Sequence, residues 1–221
     1  PTPTPISLPA GFTGLLTPTP TPSFRDIYAR VRNSVIYIEV PGSGHGSGWV
    51  LERGLLATNA HVVRGATQVV IRSADHRPVN GLVVATDASR DIAFVRYTAE
   101  ALPLAPLPTF SPTLRDVGEG VLVLGYSLAG VRPDGTIGSP SAKQGILSQI
   151  VETAAGGRLL RVDAAIDPGD SGGPVVNIRG QVVGMNQSAV TATPGGQRVV
   201  GVFHAVHIDE VLEARRRLVS P

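Results

Sequence analysis

Apolar positions along the chain follow two rhythms. Phe24, Ile27, Tyr28 and Val31 recur at helical spacing, with Ser23 placed to cap the first turn. From Ser34 onward the period shortens to that of strands, in brief Val- and Ile-rich runs punctuated by Gly, Pro, Asn or Asp. About twelve strands are expected, at 35–40, 48–52, 55–58, 68–71, 81–86, 92–97, 120–125, 142–152, 159–162, 174–177, 181–186 and 198–204. The end returns to helical spacing, with Asp209 near the cap and Ile208, Val211, Leu212 and Val219 on one face. Many short strands with regular turns predict an all-β fold. Twelve of them in about 180 residues suit two packed six-stranded antiparallel β-barrels, flanked by short N- and C-terminal helices, better than one sandwich. No internal repeat is visible between the two halves.

The first 22 residues contrast with this pattern: seven are Pro and six are Thr. Residues 1–22 read as a linker and 23–221 as one domain. Proline favours extended polyproline II at about 3 Å per residue, so the linker spans up to roughly 65 Å. Its centre, residues 6–16, is too apolar for a pure spacer and is expected to dock on its own domain or on a neighbouring subunit. The sequence starts at Pro1 rather than Met, so a targeting segment or anchor is expected upstream.

Composition removes several classes. There is no Cys, which excludes a disulfide scaffold and a thiolate metal site. Formal net charge is +2, Lys143 is the single lysine, and the arginines are scattered apart from Arg215, Arg216 and Arg217, so nothing tracks a phosphate backbone and no nucleic-acid partner is expected. Aromatic content of 5% supplies no stacking platform. No apolar run reaches the roughly 18 residues that a membrane helix needs.

The most informative string is Asp167-Pro-Gly-Asp-Ser-Gly-Gly-Pro174. Glycines on both sides of Ser171 allow a tight turn from which a hydroxyl stands out, and the same turn can aim the Gly169 and Ser171 amides at one point, as a developing oxyanion requires. A serine hydroxyl needs a base. Of the five histidines, His61 is preferred, because Leu55-Leu-Ala-Thr-Asn-Ala-His-Val-Val63 places it where an apolar strand ends. His45 lies in a Gly-rich stretch expected to be flexible, His76 in a polar loop, and His204 and His207 at the borders of the last strand. The base needs a carboxylate to fix its tautomer. Asp91, just before an apolar strand, is preferred, with Asp87 as the fallback. No His pair stands at metal-ligand spacing; Asp75 with His76, or His204 with His207, would bind a metal weakly at most, and neither a metal nor a cofactor is expected.

These residues resemble a family. Thr58-Asn-Ala-His-Val-Val63, Asp91-Ile-Ala, the stretch 114–125, Gln144-Gly-Ile-Leu-Ser148 and Asp163-Ala-Ala-Ile-Asp-Pro-Gly-Asp-Ser-Gly-Gly-Pro174 are similar to the HtrA (Deg) serine proteases of trypsin-like fold, over residues 24–218. The resemblance covers the protease domain without the PDZ domain that often follows. It implies His61 as general base, Asp91 as its orienting carboxylate, Ser171 as nucleophile and the Gly169 and Ser171 amides as oxyanion hole. It also implies a specificity pocket with Ala165 at its base, followed by Ile166, with Met185, Asn186, Gln187 and Ser188 along one wall and Val200, Gly201 and Val202 behind. Such a pocket accepts small or medium aliphatic side chains, which folded proteins bury, so unfolded proteins or peptides are the expected substrates. The family further implies a homotrimer built through the N-terminal segment and an extracytoplasmic location, with membrane contact only through an upstream anchor. The sequence departs from the family at Asp170, where Asn is usual and whose expected partner is an Arg or local amides, and at residues 125–130. These departures motivate the alternative of an inactive protease fold that binds peptides or unfolded chains.

Overall fold

The computed structural model describes residues 22–73, 77–127, 137–153, 156–189 and 201–220. They form two closed six-stranded antiparallel barrels. Helix α1 (Phe24–Val31) comes first, capped as expected by Ser23, whose hydroxyl accepts from the Asp26 amide. Six strands follow, β1 (Val35–Val40), β2 (Gly44–Glu52), β3 (Leu55–Thr58), β4 (Gln68–Arg72), β5 (Val79–Asp87) and β6 (Ile92–Arg96), closing in the order β1-β2-β3-β6-β5-β4. The second barrel holds β7 (Gly120–Gly125), β8 (Ser141–Glu152), β9 (Arg158–Val162), β10 (Pro174–Asn177), β11 (Val182–Ala189) and β12 (Phe203–His207). Its order, β10-β11-β12-β9-β8-β7, repeats the topology of the first barrel, although no sequence repeat marks it. Helix α2 (Ile208–Leu218) ends the fold.

Strand alternation builds three cores at once. Ile36 and Ile38 of β1 point into the first barrel, and Val121 and Val123 of β7 point into the second. Their neighbours Tyr37, Leu122 and Leu124 face the opposite way and meet Trp49, Phe94, Met185 and Val206 in a core between the barrels. Being buried on both faces, these strands read as continuous apolar runs, and they stand out in the sequence for that reason.

Two strand starts differ most from expectation, while several other strand ends shift by one to three residues. Strand β2 begins at Gly44, not Gly48, pairing Glu39 with His45 and Tyr37 with Ser47. Gly44-His-Gly-Ser-Gly48 has too few side chains to display a period of two. Strand β12 begins at Phe203 opposite Val162, where β9 ends; of the expected 198–204, residues 198–200 lie outside the described residues. His204 and His207 therefore lie inside the last strand. Helix α2 is capped by His207, whose ring accepts from the Asp209 amide, and Asp209 is its second residue, near the cap as expected. The linker, the apolar stretch 6–16, His76 and Val200 lie outside the described residues.

Candidate active site

His61 follows β3, and Asp91 precedes β6, the strand that pairs with β3. The pairing brings the two side chains together. The Asp91 carboxylate accepts from the His61 amide at 2.9 Å and meets His61 Nδ1 at 2.8 Å. An ionised Asp91 opposite Nδ1 places the proton on that nitrogen and leaves Nε2 as an acceptor. Among the described residues Asp91 is the one non-glycine with a positive φ, 58°. Its carbonyl accepts from the Asn59 side-chain amide at 2.9 Å. Asp87, the fallback, is committed elsewhere, with bonds from the Ser89 hydroxyl, the Ser89 and Arg90 amides and the Arg217 guanidinium. Burial works against its charge, but these bonds outweigh it and hold the carboxyl below the usual range.

Ser171 lies in the second barrel, on a turn formed by residues 167–170. The Asp170 amide donates to the Asp167 carbonyl at 3.0 Å, and Gly169 has φ 96°, which with Pro168 before it describes a type II turn. Glycine at the third position is what that turn demands. At Gly172 the reason is space: an added Cβ would stand 2.2 Å from the Ser47 carbonyl oxygen and 2.3 Å from Thr58 Oγ1. The first barrel grips the turn through Ser47 of β2. Its amide donates to the Ser171 carbonyl at 2.8 Å, and its hydroxyl donates to the Gly169 carbonyl at 2.7 Å. The same hydroxyl accepts from the Tyr126 amide at 2.8 Å, and Thr58, three residues before His61, donates to the Ser47 carbonyl at 2.6 Å. One chain of bonds thus links nucleophile turn, oxyanion turn and histidine strand.

The Ser171 hydroxyl donates to the Gln187 carbonyl at 3.0 Å. Among the described residues it has no hydrogen bond to His61, although the two side chains line one open groove of about 320 Å³ together with His45, Pro168 and Gly169. Among the described residues the Gly169 and Ser171 amides donate to no protein acceptor, whereas those of Asp170, Gly172 and Gly173 are all used. The site thus offers a hydroxyl, an imidazole with a fixed tautomer and two unbonded donors.

Asp170, fully buried, is paired with neither an Arg nor local amides alone. Its carboxylate meets Lys143 Nζ of β8 and accepts from the Asp167 amide at 2.9 Å. Lys143 also reaches Asp167 at 2.8 Å. Burial opposes the lysine's charge, but the hydrogen bonds and charges of Asp167 and Asp170 prevail and raise its pKa.

Three of the expected pocket side chains face the core instead. Met185 and Asn186 are fully buried and Ile166 is 5% exposed. Met185 joins the core between the barrels and Ile166 the core of the second, while Asn186 donates to the Leu124 and Asp170 carbonyls. Both faces of β11 are covered at this point, so the consecutive Met185 and Asn186 are both buried, and Ile166 turns inward from the loop after β9. Ala165 and Gly201 are exposed, Gln187 is half-buried, and the Ser188 side chain lies outside the described residues. His45, expected on a flexible loop, is held in β2, stacked on Tyr37 at 4.8 Å between ring centres, with Nε2 3.1 Å from the Tyr126 carbonyl. Among the described residues no group of three or more His, Cys, Asp or Glu is arranged to hold a metal ion, and no helix is long and apolar enough to cross a membrane.

Residues 46–185, which include His61, Asp91 and Ser171, match the model of the trypsin-like peptidase domain. The chain belongs to the trypsin-like peptidase family. It is similar to HtrA-like serine proteases of that fold. It is 36% identical over 202 residues to "Serine protease HTRA2, mitochondrial" of Drosophila pseudoobscura pseudoobscura, covering 84% of this chain and 45% of that protein. It is 34% identical over 174 residues to "Probable periplasmic serine endoprotease DegP-like" of Hahella chejuensis, covering 78% of this chain and 35% of that one. Among solved structures, the HtrA-type protease AlgW with a tripeptide superposes with a TM-score of 0.75 at 25% identity, over 90% of this chain and 64% of that one. The chain spans less than half the length of these two HtrA and DegP relatives.

Proposed function

We propose that this chain is a serine endopeptidase that cuts unfolded or misfolded proteins after small or medium aliphatic residues, in protein quality control outside the cytoplasm. The observation that carries this reading is the doubly bonded His61–Asp91 pair opening onto the groove that holds Ser171 and two unbonded amides. In the mechanism, the Ser171 hydroxyl leaves the Gln187 carbonyl and gives its proton to His61 Nε2 as its oxygen attacks the substrate carbonyl carbon. The tetrahedral oxyanion is met by the Gly169 and Ser171 N–H groups. His61 then passes the proton to the departing amine, leaving an acyl group on Ser171, and water deprotonated by His61 releases it. Asp91 stays ionised, stabilising the imidazolium between the two proton transfers.

The preference for aliphatic side chains rests on Ala165, Gln187 and Gly201, none of which carries a charge to pair with Lys or Arg at the cut. The location rests on the DegP-like relative described as periplasmic, and a mitochondrial relative is also outside the cytosol. Assembly as a trimer through the N-terminal segment rests on the family resemblance. The test is degradation of casein by the wild type and by Ser171→Ala. Cleavage by the wild type only is expected. Equal retention of casein by both proteins without cleavage would instead establish the peptide-binding alternative.

A further inference from the structure

We propose that Lys143 is a positioning residue for the nucleophile turn, a cation carried within strand β8 that clamps Asp170 and thereby keeps the Gly169 and Ser171 amides converged. This rests on the peptidase reading and adds to it what holds the site in working form.

Asp170 stands between the two residues whose amides are to converge, so a held carboxylate restrains the backbone on both sides of it. It is fully buried, and a carboxylate removed from water requires a compensating charge and hydrogen bonds. Its Oδ2 has Lys143 Nζ and the Asp167 amide at 2.9 Å; its Oδ1 has, among the described residues, the Ser141 hydroxyl alone, at 3.4 Å. Room for another arrangement is small: a Cβ on Gly125 would stand 2.7 Å from the Asp170 Cα. The ammonium also bonds Asp167 Oδ2, and so ties together the first and last residues of the turn. That bridging supports the Asp170 N–H to Asp167 carbonyl bond on which the left-handed Gly169 depends.

The composition carries the same message. Lysine and arginine together number 19, yet this is the single lysine. A compact ammonium with three rotatable donors reaches both carboxylates at once. Lys143 is paired opposite Val123 of β7 and its side chain is 22% exposed. The titratable groups that face it are Asp167 and Asp170, both of which raise its pKa against the effect of burial. The sign follows: the clamp is intact below the ordinary lysine pKa of about 10.4 and is lost as pH rises through the higher folded value.

Three variants test this, Lys143→Met, Asp170→Asn and the two combined, each compared with wild type by peptide hydrolysis and by amide hydrogen exchange. Loss of one oxyanion donor costs about 100- to 1000-fold, so Lys143→Met is expected to lower kcat by about 100-fold with KM little changed. The double variant recovers part of that loss because no uncompensated buried charge remains, and it lacks the alkaline fall in activity seen in wild type. Exchange at residues 167–171 rises in Lys143→Met while that of β7 and β10 is unchanged. Wild-type kcat in Lys143→Met, or unchanged exchange in the turn, overturns the proposal while leaving the peptidase reading in place. A wild type without any hydrolysis refutes the peptidase reading instead, and the exchange comparison then decides the clamp alone.

Discussion

Asp91 holds its carboxylate against His61 from a left-handed backbone, φ 58°, which costs a non-glycine residue about 1–2 kcal/mol. Something must hold it there. The Asn59 amide, fully buried and bonded to the Asp91 carbonyl at 2.9 Å, is the restraint at hand. It acts only through the backbone of Asp91 and touches neither Ser171 nor the groove. Asn59→Ala is expected to let Asp91 relax and to lower kcat about tenfold, equivalent to roughly one hydrogen bond of 1.4 kcal/mol, with KM little affected. Steady-state kinetics on one peptide check this, and an unchanged kcat would show that β3–β6 pairing alone positions Asp91.

At the junction of β12 and α2, His207 uses both ring nitrogens: Nε2 lies 3.1 Å from the Pro112 carbonyl, and Nδ1 accepts from the Asp209 amide at 3.2 Å. The ring is therefore neutral, with its proton on Nε2. Burial, the largest influence, holds its pKa below the ordinary histidine value, and Arg158 works in the same direction. The unfolded chain then binds more protons than the folded one. The stabilisation is complete above the unfolded pKa of about 6.5 and is lost as pH falls through the lower folded value. His204, lowered by burial and by Arg161, adds to the same slope. Urea midpoints measured from neutral to mildly acidic pH should fall for the wild type and fall less for His207→Asn, which retains an N-cap side chain. Elements differ in how openly they show themselves in sequence. The runs at 35–40, 55–58, 120–125 and 174–177 coincide with β1, β3, β7 and β10, because strands buried on both faces and ended by Gly, Asp or Asn leave a continuous apolar signal. The start of β2 leaves none, since its glycines carry no side chains to alternate. The site divides similarly. His61, Asp91 and Ser171 sit in local strings that state their chemistry. The clamp from Lys143 to Asp170 spans 27 residues, and the bond from Ser47 to Gly169 spans 122, so their partners are named only by the closed barrels. The pocket side chains misled for a third reason: Met185 and Asn186 lie where both faces of β11 are covered, and Ile166 turns inward from the loop after β9, which the sequence string does not reveal.

Across the whole molecule, the two barrels share one topology and each supplies part of the proposed site: His61 and Asp91 from the first, Ser171 and the turn from the second. Their relative placement is held from several sides. The core between them contains Trp49, Phe94, Leu124 and Met185, packed with Ile27 of α1 and Val211 of α2. Helix α2, which follows the second barrel, is bound to the first by Arg215 on Glu52, at 2.9 Å through two nitrogens, and by Arg217 on Asp87. Arg90 of the first barrel returns to Glu210 at 3.1 Å. Ser47 completes the closure beside the nucleophile. A serine becomes reactive in this arrangement only when both barrels are folded and docked, so its reactivity reports on the whole account at once. The most direct measurement is intact-protein mass after treatment with a fluorophosphonate, with the adduct located by peptide sequencing, in wild type, Ser171→Ala and His61→Ala. A single adduct on Ser171 in the wild type and none in either variant is the predicted result. Labelling that persists in Ser171→Ala, or a wild type that takes up no label under conditions where it is folded, would contradict it.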